Sequence, residues 1–323
     1  MMGFWKGKNV LVTGAHGFTG VHLCESLLEK EANVRAFVRR GGNFFNLFNI
    51  IDKIELFKGD LIDITSVMDS MKGIDFVFHG GAIVNVPETR ALPGSTFQVN
   101  TMGTFNVAWA ARRENVKRML YISTCHVYGN VPEEKIPIKE DVVPNPPDIY
   151  SCAKYAGEIV CRSFLSEGFD IVITRAFNKY GPYQKGDFFI PKVLSQVLKG
   201  QNPKLGNPKT TRDYSFVKDI IEGYLLAAEK GKIGEIYNFS SGKEISIGDL
   251  CDKIIQICEM KEKVKPIWDV GQRKIDILRF CGDYSKAKRE LNWEPKTFLE
   301  EGLKITIDWW KKNINNPVIR LIV

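Results

Sequence analysis

Asn9-Val-Leu-Val-Thr-Gly14-Ala-His-Gly17-Phe-Thr-Gly20 joins a short apolar run to three glycines spaced three apart, and the fold follows from that junction. The Val-rich run Asn9–Thr13 suits a strand buried on both faces. Beyond the last glycine, Val21–Lys30 carries Leu23, Leu27 and Leu28 on one side and reads as a helix. A glycine turn that ends a strand and opens a helix is where a dinucleotide's pyrophosphate settles on free helix N–H groups. Gly14 then allows the tight turn, Gly17 the approach of the anion and Gly20 close helix–strand packing. Phe18 and Thr19, between them, join the cofactor-binding candidates.

The same rhythm continues outward. Val34–Val38, Ile54–Phe57, Ile74–His79 and Arg118–Ser123 read as strands, with Asp170–Arg175 and Glu235–Phe239 later. Ile64–Met71 and Thr101–Arg113 read as helices between them. Strands separated by helices imply right-handed parallel βαβ units with helices on both sheet faces. The expected fold is therefore α/β: a Rossmann-like doubly wound parallel sheet with a smaller α+β C-terminal substrate lobe. After Arg175 the rhythm loosens. Asn178–Asp187 is crowded with Gly, Pro, Lys and Tyr, and Asn202–Arg212 is a long polar loop. Asp249–Cys258 and Leu299–Lys312 read as amphipathic helices. The expected division is a dinucleotide-binding lobe over 1–176 plus about 213–245, and a second lobe over 177–212 and 246–323. The apolar tail Val318–Val323 is expected to pack against the body.

Composition narrows the class. The 323 residues, at about 150 per domain, suggest two domains. With 44% hydrophobic and 26% charged residues, the chain has the balance of a soluble globular protein. The net charge of +7 is spread without any long run of one sign, so no nucleic-acid partner is expected. No apolar stretch reaches the roughly 18–20 residues needed to span a bilayer, and Met1–Lys8 is too short and mixed for a signal peptide. No membrane partner and a cytoplasmic location are expected. Seven cysteines without a C-x-x-C pair and four scattered histidines argue against a disulfide framework or a metal site.

Two features point to chemistry. At the end of the second strand stands Val38-Arg39-Arg40, where an acid would bind a ribose 2′-hydroxyl and an arginine can hold a 2′-phosphate. This tilts the cofactor towards NADP, with NAD still open. Tyr150-Ser-Cys-Ala-Lys154 sets a phenol and an ammonium on one helix face, and a nearby Lys⁺ is expected to lower the tyrosine pKa and make it a base. The spacing recurs at Tyr214…Lys218 and Tyr284…Lys288. Only the first follows a helix-starting proline loop (Pro144, Pro146, Pro147) and lies shortly after the polar strand end Ser123-Thr124-Cys125-His126. Ligands of parallel sheets bind outside such carboxyl ends.

Together these residues resemble the extended short-chain dehydrogenases/reductases of the nucleotide-sugar epimerase/dehydratase group. The resemblance runs from Val10 to about Trp310. It includes Gly59-Asp60-Leu61, Phe78-His79-Gly80-Gly81-Ala82, Asn100-Thr-Met-Gly103-Thr-Phe-Asn106, Arg175-Ala-Phe-Asn178-Lys-Tyr180-Gly181-Pro182, Arg212-Asp213-Tyr214-Ser-Phe-Val217-Lys-Asp219 and Leu291-Asn-Trp293-Glu-Pro295. It implies that Tyr150 takes a proton from a sugar hydroxyl, usually at C4, while hydride passes to a nicotinamide. Lys154 would hold the nicotinamide ribose, and Thr124 would bond the same sugar oxygen. Asp60 and Leu61 would contact the adenine, and Gly81, Ala82 and Ser123 would line the cofactor. Asn85, Asn178, Arg212 and Arg273 would meet a nucleotide-diphosphate sugar. A homodimer through the helices near Thr101–Arg113 and Tyr150–Phe164 is a further implication.

The group's members differ most after Thr124. The 4,6-dehydratases resemble S-T-D-E-V-Y-G there, and the 4-epimerases carry small or neutral residues. Here Cys125 and His126 meet neither pattern. A histidine titrates near neutral pH and could abstract a C5 proton in place of glutamate, whereas Cys is a poorer acid than Asp. Phe4-Trp5-Lys-Gly7-Lys8 resembles CDP-glucose 4,6-dehydratases, and Arg273-Lys-Ile-Asp-Ile-Leu-Arg279-Phe-Cys-Gly282-Asp283 resembles GDP-mannose-type dehydratases. The favoured expectation is a 4,6-dehydratase with Cys125 and His126 in the catalytic set, the alternative a 4-epimerase. A non-catalytic nucleotide-binding protein on the same fold is the reading from another class, opposed by the intact Thr124, Tyr150 and Lys154.

Overall fold

The computed structural model describes residues 3–268 and 277–314, so Arg273 and the tail Val318–Val323 lie outside the described residues. Strands β1 (Asn9–Thr13), β2 (Asn33–Arg39), β3 (Glu55–Gly59), β4 (Phe76–His79), β5 (Arg118–Ile122), β6 (Ile171–Ala176) and, later in the chain, β9 (Ile236–Phe239) form one sheet in the order 3-2-1-4-5-6-9. Every pairing in it is parallel. The expected α/β architecture is present, including the return of the Glu235–Phe239 segment to the large sheet.

Alternation along each strand feeds two cores. Val10 and Val12 of β1 face one side, with Phe76 and Phe78 of β4. That side is covered by helices α1 (Phe18–Glu29) and α8 (Val217–Lys230). Leu11 and Val77 face the other side, against α2 (Ile64–Met71), α5 (Gly103–Arg113) and α6 (Ile149–Leu165). Two short helices, α3 (Val86–Ala91) and α4 (Pro93–Phe97), and a π turn over Gln98–Met102 lead into α5. Because β1 pairs with β2 on one side and β4 on the other, the strand order reverses at β1 and opens a crevice above its carboxyl end.

The smaller lobe is built on a three-stranded sheet of β7 (Asn178–Tyr180), β8 (Thr211–Phe216) and β10 (Glu244–Ser246) in the order 10-8-7. Its core combines α7 (Phe189–Val197), α9 (Ile247–Ile257) and α11 (Leu299–Asn313) around Leu194, Leu250, Leu303 and Trp310. Helix α10 (Ser285–Leu291) returns to the large lobe, where Ala287, Leu291 and Trp293 join the α8 core. Among the described residues the order is thus large (through β6), small (β7, α7, β8), large (α8, β9), small (β10, α9), large (α10) and small (α11): five crossings.

Candidate active site

The phosphate loop is shaped by contacts that only glycine permits. Gly14 has φ 69°, and a Cβ there would lie 2.8 Å from the Gly81 Cα. A Cβ on Gly20 would lie 2.3 Å from the Gly14 carbonyl oxygen, so glycine lets α1 start directly against the strand end. Gly17 is the N-cap of α1; no side chain caps that end and its first turn carries no acid. The N–H groups of Phe18, Thr19 and Gly20 therefore face outward with the positive end of the helix dipole. This uncapped terminus beside a glycine cradle fits the pyrophosphate of a dinucleotide.

Around the loop, Arg39 ends β2 exposed, without a carboxylate partner among the described residues. Arg40 is exposed and pairs with Asp63 at 3.5 Å. Asp60 follows β3, its carboxylate accepting from the Ile62 N–H at 3.1 Å. Leu61 is buried against Gly81 and Gly103. Ala82 is half-buried beyond Gly81.

A chain of hydrogen bonds, not anticipated from the sequence, fixes this corner. The Gly81 N–H donates to Thr13 Oγ1 at 3.0 Å, and Thr13 Oγ1 lies 2.7 Å from His79 Nδ1. His79 Nε2 lies 3.0 Å from Thr104 Oγ1, which donates to the Asn100 carbonyl at 2.7 Å. Since the Thr104 proton is committed to Asn100, the imidazole carries its proton on Nε2 and accepts from Thr13 at Nδ1. Burial, helped by the Lys154 charge, lowers the His79 pKa to about 3 and keeps the ring neutral. Asn100 braces the loop a second time: its Nδ2 donates to the Ile83 carbonyl at 2.9 Å and its Oδ1 accepts the Ile83 N–H at 2.8 Å.

The expected catalytic residues converge above β5. Thr124 caps a 3₁₀ turn over Cys125–Tyr128, its Oγ1 accepting the His126 N–H at 3.2 Å. That turn packs against α6. Cys125 is 1% exposed, and burial pushes its thiol pKa up, so it stays protonated. His126 is half-buried with its ring 5.9 Å from that of Phe280. Asp148 caps α6 by accepting the Ser151 N–H at 2.9 Å, which sets Tyr150 and Lys154 in the first turns. Tyr214 by contrast lies in β8 and Tyr284 ahead of α10, so of the three Tyr…Lys pairs only Tyr150 and Lys154 share one helix.

The electrostatics correct one expectation. Burial pushes the Tyr150 pKa up rather than down, with a hydrogen bond to the Thr124 side chain pulling the other way. Burial lowers Lys154 to about 7. Its Nζ sits 4.1 Å from the Tyr121 ring centroid, in a cation–π contact, instead of serving the Tyr150 phenol. Desolvation here outweighs the lysine's influence on its neighbour. Beneath, Ser123 Oγ donates inward to Glu158 Oε1 at 2.5 Å, and Arg175 grips that carboxylate at 3.0 and 2.6 Å.

On the smaller lobe's side, Asn85 caps α3 and its Nδ2 donates to Asp187 at 2.8 Å, tying the lobes together. Asn178 Nδ2 donates to the Asp213 carbonyl at 3.2 Å, and Arg212 Nη1 donates to the Thr211 and Ile277 carbonyls. Asp213, fully buried, accepts from the N–H groups of Ser241, Gly242 and Gly282. Burial nevertheless raises its pKa to about 6. Sequence reasoning passed over Lys179. Strand alternation turns it away from the buried Tyr180, towards α8, where its Nζ donates to the Tyr224 hydroxyl at 3.3 Å. An ammonium standing between Asn178 and an inward-facing tyrosine was the available signal.

Comparison with known proteins shows the family and the fold. The family model described as GDP-mannose 4,6 dehydratase matches residues 11–306. A dTDP-glucose 4,6-dehydratase of Streptomyces niveus is 30% identical over 94% of this chain and 93% of its own length. Among solved structures, a UDP-glucose 4-epimerase of Thermotoga maritima with UDP-glucose superposes with a TM-score of 0.89 at 29% identity, covering 95% of this chain and 100% of that one. The dTDP-glucose 4,6-dehydratase DesIV of Streptomyces venezuelae, with NAD and TYD bound, gives 0.88 at 27% identity, covering 96% and 99%.

Proposed function

Because the chain belongs to the GDP-mannose 4,6 dehydratase family, within the nucleotide-sugar epimerase/dehydratase group of extended short-chain dehydrogenases/reductases, we propose that it is a cytoplasmic nucleotide-sugar 4,6-dehydratase. A nicotinamide cofactor, when bound, supplies the capacity to take hydride from a sugar carbon and return it. Gly14, Gly17, Phe18, Thr19 and Gly20 would hold its pyrophosphate, Asp60 and Leu61 its adenine, and Lys154 its nicotinamide ribose. Gly81, Ala82 and Ser123 would line it, Ser123 through its backbone because the hydroxyl is committed to Glu158. Arg39 and Arg40 favour NADP; Arg39, with no carboxylate partner among the described residues, supports this more than Arg40, which already has Asp63.

Tyr150, as phenolate, takes the proton of the C4 hydroxyl, and Thr124 holds the same oxygen. For Tyr150 to ionise, positive charge beside it would have to offset the desolvation that raises its pKa. His126 takes the C5 proton. Asn178, Arg212 and Arg273 would hold the nucleotide diphosphate, and Asn85 would bind the same substrate. The observation that supports the dehydratase reading is the Cys125–Tyr128 turn: its Thr124 cap binds the His126 backbone N–H, so both residues sit in one short segment packed on the helix of Tyr150. A 4-epimerase is the second reading, favoured by the protonated, buried Cys125, which is a weak acid for a departing hydroxyl.

The test is a panel of UDP-, GDP-, CDP- and dTDP-hexoses incubated with the protein and either NAD or NADP in D₂O. A dehydratase forms a 4-keto-6-deoxy product with deuterium at C5, where a proton is removed and replaced. An epimerase forms an isomer of unchanged mass without solvent label. Tyr150→Phe should abolish turnover with cofactor binding intact, and His126→Asn should stop at the oxidised sugar; normal product from the latter removes the role given to His126. Equal turnover with both cofactors would remove the NADP preference. A homodimer through α5 and α6 is part of the proposal, supported by the exposure of Phe105 and Ile159 on these helices and of Met102 in the turn just before α5.

A further inference from the structure

Elimination of a C6 hydroxyl needs a proton donor, and the residue next to Thr124 is a poor one. The Cys125 side chain is enclosed by Tyr128, Val131, Ile138, Phe177 and Phe280 and is 1% exposed. Lys179 approaches the same corner from the other lobe. Its backbone is pinned in β7 by the pairing with Ser215 of β8 and by the Gln184 Nε2 donating to its carbonyl at 2.8 Å. Its ammonium bonds the Tyr224 hydroxyl at 3.3 Å and has no carboxylate partner among the described residues. Phe177, two residues before Lys179, packs in one cluster with Cys125, Tyr128 and Phe280, so the start of this strand lies beside the turn that follows β5. Burial lowers the Lys179 pKa to about 8, which leaves a protonated amine that is more acidic than an ordinary lysine.

We propose that the Lys179 ammonium, rather than the Cys125 thiol, donates the proton to the hydroxyl that leaves C6 of the sugar; this rests on the dehydratase reading. In the elimination the C5–H bond breaks and its proton passes to His126. The electron pair forms the C5=C6 double bond beside the C4 ketone left by the nicotinamide-dependent oxidation. The C6–O bond breaks, and the oxygen departs as water with a proton from Nζ, leaving a neutral amine. Tyr150 has by then gained one proton from the C4 hydroxyl and Lys179 has lost one, so the pair regains its starting charge by a single transfer. The Tyr224 hydroxyl, which accepts from Nζ, stands beside the amine that this transfer reprotonates.

The experiment compares wild type, Lys179→Met and Lys179→Arg on the hexose that wild type dehydrates in the panel and on its 6-chloro-6-deoxy counterpart. Chloride leaves without a proton. Both variants should lower turnover of the hydroxyl sugar by about 10²–10⁴-fold, yet oxidise C4 in a single turnover and process the chloro sugar at the wild-type rate. The oxidation half-reaction also reports that the variants are folded. Wild-type turnover of the hydroxyl sugar by either variant overturns the proposal, as does an equal loss with both sugars. A wild type that oxidises C4 but releases no water from any hexose overturns the dehydratase reading itself, before any substitution is made.

Discussion

His79 is buried with neither ring nitrogen free, and its neutrality has a measurable consequence. Its folded pKa of about 3 lies below the ordinary 6.5, so its contribution to stability is complete above pH 6.5 and is lost as pH falls towards 3. Asp213 works in the opposite sense: raised to about 6, it favours the folded state below pH 4 and loses that advantage as pH rises through 6. A difference measurement separates them. The stability lost on His79→Gln, from urea unfolding, should be about 3 kcal/mol smaller at pH 4 than at pH 7. An equal loss at both pH values would mean that the ring is not held neutral.

Among the elements, the start of α1 leaves no room for a larger residue. Gly20→Ala would bring a methyl group against backbone, 2.3 Å from the Gly14 oxygen and 2.6 Å from the Ala15 Cα, with no flexible side chain to yield. It should cost about 1–3 kcal/mol in urea unfolding and abolish cofactor binding in a fluorescence titration. This part of the fold was legible because strand, turn and helix are adjacent in sequence and each has its own period. Asn9–Thr13 and Ile64–Met71 coincide with the elements formed. In the Asn178–Asp187 stretch β7 is not legible, because it is three residues long, too short for alternation to show, and pairs with a strand over thirty residues on. Helix α8 was overlooked because it is buried on most of its circumference, which blurs the amphipathic pattern. The candidate site divides similarly. Gly14, Tyr150 and Lys154 lie in local motifs, whereas Lys179, Tyr224 and the His79 relay acquire meaning only from neighbours that folding brings together.

For the molecule as a whole, the exposed Ile159 (56%) and Met102 (52%) are the apolar groups that an α5–α6 dimer would cover. Ile159→Glu should halve the mass seen by sedimentation equilibrium while leaving the circular dichroism spectrum intact; an unchanged mass would remove this interface. The five crossings between the lobes have a mechanical consequence. No single peptide connection carries one lobe alone, so cleaving any one of them leaves the other four stitches in place. A nicked chain should stay together on a native gel, fall apart only in denaturant, and melt in one calorimetric transition.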